Sequence, residues 1–318
     1  MGWNKCRGML TGNITKIDKT SPTISGSATM TGANTATLSA TINDKESGLS
    51  QIKWEWGNTT SYENTVTDKY VKMNSSSAGA IESVTKTKAL TGLSAGTTYY
   101  VRITAYDVAG NITKSITTTF KTAVAKIGTK YYSSISDAIN VQNSSTIDLL
   151  VNVKEKINIP SNKNITLNLN EKTITTTTEN KTICTILNYG TLTLKGNGTI
   201  NSTGNIGGAI MNYGTLTNES VTITKDDSYS NWLVTNSGKF YMKGGVLQKT
   251  GGTNGAVLMN YGQFGMTGGK IISNDDNAVV SRDGGNSVIE GRGISIQGTI
   301  LNDYSENENS KSSTIVSI

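Results

Sequence analysis

The residues whose types suit polymer chemistry lie in the second half of the chain. They are the pairs Asp226-Asp227 and Asp275-Asp276 and the loose set Arg282, Asp283, Glu290 and Arg292. Carboxylates that hold calcium beside an arginine or lysine base, or that act as an acid and base pair, can cleave a polysaccharide. That chemistry needs the carboxylates to converge. A 24-residue repeat, described below, puts Thr250 and Gly251 one period after Asp226 and Asp227, so the two acidic pairs do not stack. No column of Asp or Glu recurs from repeat to repeat, and acidic pairs in turns are ordinarily solvated. Histidine is absent, which removes the commonest general base, any Ser-His-Asp or Cys-His arrangement and most zinc and iron ligand sets. No catalytic residue is assigned.

Two other groups offer binding instead. Asp44 and Glu46 in one loop and Asp107 in another fall at the same pole if the first third is a β-sandwich, which makes them a candidate calcium site. Calcium takes about 6–8 oxygens, so three carboxylates are a thin supply. No other cofactor is indicated. Tyr189, Tyr213 and Tyr261 recur at the repeat spacing and are expected to point outward as a stripe. Exposed aromatics of that kind stack on sugar rings, although they pack equally well on one another. Cys6 and Cys184 are remote in sequence and indicate no disulfide framework.

Internal repetition supplies the elements that must position these groups. Asn188-Tyr189-Gly190, Asn212-Tyr213-Gly214, Asn236-Ser237-Gly238 and Asn260-Tyr261-Gly262 step by 24 residues. Ile186, Ile210, Val234 and Leu258 keep the same step, as do Leu192, Leu216, Phe240 and Phe264, and Ile223, Leu247 and Ile271. A looser coil follows through Val279, Gly284, Ile289 and Ile294. A leucine-rich repeat has a similar period but needs a helical segment. Here the apolar residues alternate with threonine between Gly and Asn bends, which spells strands with one face in a core. The repeat is therefore a rung of a right-handed parallel β-helix, with regular coils at about 183–295.

Asn188, Asn212, Asn236 and Asn260 form a structural ladder in this reading. Asparagine tolerates the left-handed backbone of a tight corner, and amides about 4.8 Å apart can bond up and down the column.

Upstream, Ser134 and Asp137 make a capping box, and Ile135, Ala138 and Ile139 give a short helix an apolar face. Such a helix would cover the open end of the stack. The stretch from Tyr131-Tyr132-Ser133 through Asp137-Ala138-Ile139 to Lys163-Asn164-Ile165-Thr166-Leu167-Asn168-Leu169-Asn170 resembles the entry of pectate-lyase-like β-helix surface proteins of bacteria. The resemblance covers about 125–300. It implies a β-helix solenoid over 124–318 with an irregular C-terminal end, and for many members polysaccharide cleavage, whose residues are not matched here.

The first third is a different module. Ala36, Leu38, Ala40 and Ile42 alternate, then Ile52, Trp54 and Trp56, then Val101, Ile103 and Ala105, with turn signals between. Leu93, Gly96, Thr97, Tyr99 and Val101 resemble the E–F corner of fibronectin type III domains, with Tyr99 as the corner tyrosine. That resemblance implies a sandwich over 20–123. Residues 12–22 look like a seam between modules, so 1–19 reads as a tail or the remnant of a preceding module, and Met1 need not be the natural start.

Bulk composition narrows the partners. The 29 Lys and Arg against 23 Asp and Glu give a net charge of +6. The basic residues stand singly, without the clustered footprint of a nucleic-acid binder. No stretch reaches the roughly 18 apolar residues of a membrane span, and Met1 to Leu10 has no apolar signal core. The expectation is an all-β, non-enzymatic, extracellular surface or adhesion module, monomeric and part of a longer bacterial chain. It either binds a polysaccharide or host-surface glycan or serves as structural display. The alternative is a degenerate or accessory polysaccharide lyase of the same solenoid class.

Overall fold

The computed structural model describes residues 18–70, 83–113, 115–177, 184–203, 208–226, 232–250, 255–291, 293–303 and 313–317. The chain divides into two compact units, Met1–Thr29 with Thr37–Leu90 and Thr98–Phe120, and Met30–Ala36 with Thr91–Thr97 and Lys121–Ile318.

The first unit is a β-sandwich. One sheet has the order β1 (Thr23–Met30), β2 (Ala36–Asn43), β5 (Val84–Leu90). The other runs β4 (Asn64–Lys69), β3 (Leu49–Gly57), β6 (Thr98–Asp107), β7 (Ile116–Lys121). Alternation builds the core: Ala36, Leu38, Ala40 and Ile42 on β2, Ile52 and Trp54 on β3, and Val101, Ile103 and Ala105 on β6 are all buried. The fully buried Trp54 donates its indole N–H to Asp68 Oδ2 at 2.9 Å, so its one polar atom is satisfied. The Tyr99 ring is buried and stacks on Phe120 with centroids 5.5 Å apart. Across the β3–β6 pairing, Arg102 donates from Nε and Nη2 to both oxygens of Glu55, each at 2.7 Å.

The second unit is an all-β solenoid of about six coils, a right-handed parallel β-helix. Helix α1 (Ile135–Val141) begins at Ser134, whose hydroxyl accepts the Asp137 N–H at 2.9 Å. Its buried residues Ile135, Ala138 and Ile139 join the solenoid core. Asp137 does not complete a reciprocal box at this helix. The Glu155 carboxylate instead accepts the N–H groups of Ile135 and Ser136 at 2.9 and 2.8 Å, satisfying the free amides of the first turn.

Three parallel ladders wind through the coils. The first stacks Ser144–Leu149, Asn164–Asn168, Thr191–Lys195, Thr215–Asn218, Lys239–Met242, Gln263–Met266, Asn286–Glu290 and Ser313–Ser317. The second stacks Val153–Lys154, Thr173–Thr177, Thr199–Thr203, Thr222–Asp226, Val246–Lys249 and the start of Gly269–Arg282. The third stacks Ile157–Ile159, Ile186–Asn188, Ile210–Asn212, Val234–Asn236, Leu258–Asn260 and the end of Gly269–Arg282. Leu192 pairs with Leu216, Phe240 and Phe264 follow in register, and all four are buried. Ile200, Ile223, Leu247 and Ile271 make the equivalent column of the second ladder, and Ile186, Ile210, Val234 and Leu258 that of the third. Each such side chain taken from water contributes about 1.5–3 kcal/mol, so a straight column of them sets the register. Pairing runs beyond 183–295 at both ends, from Ser144–Leu149 to Ser313–Ser317. Changed coil length hides the repeat at the N-terminal end, where Ile147 pairs with Leu167 and Leu167 with Leu194.

Candidate functional site

The asparagines of the repeated tripeptide point into the solenoid and are 0–1% exposed. Nδ2 of Asn188 donates to Oδ1 of Asn212 at 2.7 Å, Asn212 to Asn236 at 2.7 Å, and Asn236 to Asn260 at 2.8 Å. The second amide hydrogen reaches the main chain of the next ladder, at Thr215 O (3.1 Å), Lys239 O (2.9 Å) and Gln263 O (2.9 Å). At the top, Asn260 donates to Ser287 Oγ at 3.0 Å, and Ser287 exchanges a hydrogen bond with Ser281. The left-handed backbone expected for this column is not found, since none of the four asparagines has positive φ. They end extended strands, and their role is to satisfy a buried corner rather than to bend it. The glycines two residues on answer to crowding in the same way. A Cβ at Gly214, Gly238 or Gly262 would collide with the carbonyl oxygen of the glycine one coil below.

The tyrosine stripe is only two residues long. Tyr189 and Tyr213 are 47% and 46% exposed and stack with centroids 5.1 Å apart and planes 12° from parallel. Ser237 interrupts the column. Tyr261 then turns edge-on to Trp232, centroids 6.3 Å apart, and packs half-buried on the cluster of Ala256, Met259 and Val280. Apolar neighbours from its own coil and the two adjoining ones pack against it, so it does not extend the stripe.

A third exposed tyrosine takes over in the coil where the column fails. Tyr241, 40% exposed, stands on the outer face of the first ladder one coil below Gly265. Because Gly265 has no side chain, a shallow cavity of about 420 Å³ opens beside the Tyr241 ring. Gln263, Asn286 and Glu290 bring amide and carboxylate groups to its rim. The sequence carried the signal: Tyr241 follows the inward Phe240, and alternation forces it outward. Repeat spacing alone passed over it because no other coil has tyrosine there.

Of the acidic candidates in the solenoid only Asp283 and Glu290 have described side chains, and neither belongs to a cluster of three acidic groups among the described residues. Arg282 and Asp283 are exposed, Asp283 with φ +49° in a turn, and Glu290 sits at the rim of the Tyr241 cavity. The side chains of Asp226, Asp275 and Asp276, together with Asp227 and Arg292, lie outside the described residues. Alternation also carries Lys225 and Lys249 inward, two residues after Ile223 and Leu247, where they pair in register and are buried. Cys184 is a buried free thiol, and burial pushes its pKa up. Cys6 lies outside the described residues.

In the sandwich unit the acidic loops meet differently from the sequence expectation. Asp44 and Asp107 bring carboxylate oxygens within 4.8 Å of one another, and the third member is Asp18, not Glu46. Glu46 is exposed. Its own N–H closes the loop onto Asp44 Oδ1 at 2.9 Å, and its carboxylate accepts the Thr20 hydroxyl at 3.4 Å at the edge of the cluster. Asp18, assigned to a tail on sequence grounds, thus belongs with the sandwich loops.

No family model matches the chain, and no curated protein matches it. Two solved structures do. One is pectate lyase Pel3 from Pectobacterium carotovorum, 14% identical over 93% of this chain and 84% of that one, with a TM-score of 0.25. The other is pectate lyase PelI from Erwinia chrysanthemi, 13% identical over 93% and 90%, with a TM-score of 0.19. Both are lyases by name. Identities and scores this low add nothing to the strand pairing above, on which the β-helix rests. Among the described residues no helix is long and apolar enough to cross a membrane.

Proposed function

We propose that the chain is a non-catalytic extracellular module of a bacterial surface protein that binds glycan polymers along the first ladder of its solenoid. The observation that carries this reading is the placement of exposed tyrosine. Tyr189, Tyr213 and Tyr241 occupy three successive coils on that ladder or its leading corner, and among the described residues the only other exposed tyrosine, Tyr131, lies in the same sheet. Flat aromatic faces flanked by amides and a carboxylate suit the apolar faces and hydroxyls of sugar rings. Recurrence from coil to coil suits a polymer, because weak repeated contacts gain strength by multivalency. The β-sandwich is read as a fibronectin type III-like spacer, supported by its division into three- and four-stranded sheets and by the buried Tyr99 at its corner.

Retention on a panel of bacterial and plant polysaccharides tests the reading. The parent should be retarded by at least one glycan. Replacing Tyr213 and Tyr241 together by Ala should abolish the retardation while leaving the melting temperature nearly unchanged, since both rings are half exposed. Binding that survives the double change defeats the assignment to this face. Release of unsaturated oligosaccharides by the purified parent would make the chain a lyase instead.

A further inference from the structure

Three carboxylates from separate stretches of the sandwich unit meet at one point. Asp18 precedes β1, Asp44 opens the β2–β3 loop, and Asp107 ends β6; one oxygen of each lies within 4.8 Å of the others. The three residues are 8%, 6% and 1% exposed. Local bonding explains an aspartate at each place taken singly. Asp18 Oδ1 accepts Thr20 N–H at 2.8 Å, Asp44 accepts Glu46 N–H and Gly48 N–H at 2.9 and 2.6 Å, and Asp107 accepts both amides of Asn111 at 2.7 and 2.8 Å.

Such loop closures are made as well by asparagine, or by aspartates far apart. They do not account for three carboxylates from three separate stretches gathered in one buried spot. They also leave Asp18 Oδ2 buried with no hydrogen-bond partner. None of the three forms an ion pair with a lysine or arginine among the described residues. A cation is the partner that this arrangement lacks.

We propose that Asp18, Asp44 and Asp107 bind a calcium ion, which ties the segment before β1 to the β2–β3 and β6–β7 connections. The donors are all oxygen, which selects a hard cation over zinc or copper. Magnesium demands near-octahedral geometry and keeps several waters, whereas calcium accepts irregular sets and bidentate carboxylates. Buried aspartates arriving from three loops fit the second ion. Ser47, whose hydroxyl donates to Asp44 Oδ2 at 3.4 Å, adds a further oxygen beside the cluster, and the Asn111 amide nitrogen, donating to the Asp18 carbonyl oxygen at 3.2 Å, ties the segment before β1 to the β6–β7 connection. This site is independent of the glycan reading and stands or falls apart from it.

Calorimetric titration of the full, chelator-treated chain with calcium chloride is the test. About one ion should bind, with a dissociation constant at or below the roughly 0.1–1 mM range of extracellular calcium modules. The sandwich should also melt several degrees higher in calcium than in chelator. Asp18→Asn should weaken binding at least tenfold and remove most of the rise in melting temperature that calcium gives; a merely structural aspartate would lower the melting temperature equally in calcium and in chelator. Absence of binding at about 10 mM calcium, well above that range, overturns the proposal, and so does magnesium binding equally tightly. Asp18→Asn binding as tightly as the parent would do the same, and the parent titration decides the matter if a variant does not fold.

Discussion

Asn212 Nδ2 and Asn236 Oδ1 lie 2.7 Å apart in a hydrogen bond between residues one coil and 24 positions apart, both buried. An amide donates and accepts at once, so a column of identical residues satisfies itself at every coil except its ends. Serine takes over at the upper end, through Ser281 and Ser287.

Replacing Asn212 by Leu should therefore cost more than the loss of one bond. Asn188 loses the acceptor for one amide hydrogen and Asn236 loses the donor to its oxygen, both away from water. About 2–4 kcal/mol of destabilisation is expected in urea unfolding. A variant as stable as the parent would show that the ladder does not hold the corner.

Gly238→Ala probes close approach at the same corner. The new Cβ would meet the Gly214 carbonyl oxygen, and Gly214 itself stacks on Gly190, so the backbone has no room to yield. A loss of roughly 2 kcal/mol or more is expected, against less than about 0.5 for Thr235→Ala on the outward side of the adjoining strand. Equal melting curves for the two variants would contradict the packing.

The solenoid was legible in the sequence because its register is written three times over, in the Ile186, Leu192 and Ile223 columns, each at the same step. Its ends were less so. Coils of other lengths break the spacing although Ile147, Leu167 and Leu194 still align inward. The candidate sites were read only in part. Column logic included Tyr261, because a repeat names positions and not the local neighbours, such as Trp232, that draw a ring aside. It missed Tyr241, which is alone in its column. Asp18 was invisible for a further reason: its partners Asp44 and Asp107 stand 26 and 89 residues away, and no periodicity links a residue before the first strand to loops between later ones.

Cys184 should be inert to thiol reagents in the folded chain. It is buried, and desolvation raises its pKa, so little thiolate forms near neutral pH. In a Cys6→Ser background, disulfide reagents at about pH 8 should label it slowly until denaturant is added and then at once. Fast labelling of the native chain would mean that the coil around Cys184 opens readily.

The Glu55–Arg102 pair should give the sandwich an acid-sensitive limb. The two-pronged hydrogen bond from Arg102 is the main cause, with Lys53 adding to it at 2.8 Å, and together they hold the Glu55 carboxyl at about 2 against an ordinary value of 4.5. A depressed folded-state pKa means that the folded protein keeps Glu55 ionised where the unfolded chain would protonate it. The stabilisation is thus complete above about pH 4.5 and is lost as pH falls through about 2. Because Arg102 is 39% exposed, solvent screening limits the contribution to about 1–2 kcal/mol. Denaturant midpoints measured from pH 6 down to about pH 2 should decline for the parent, and the decline should be shallower by that amount in Glu55→Gln, which cannot titrate. If both proteins lose stability in parallel over that range, the acid limb belongs to other carboxylates and the pair contributes little.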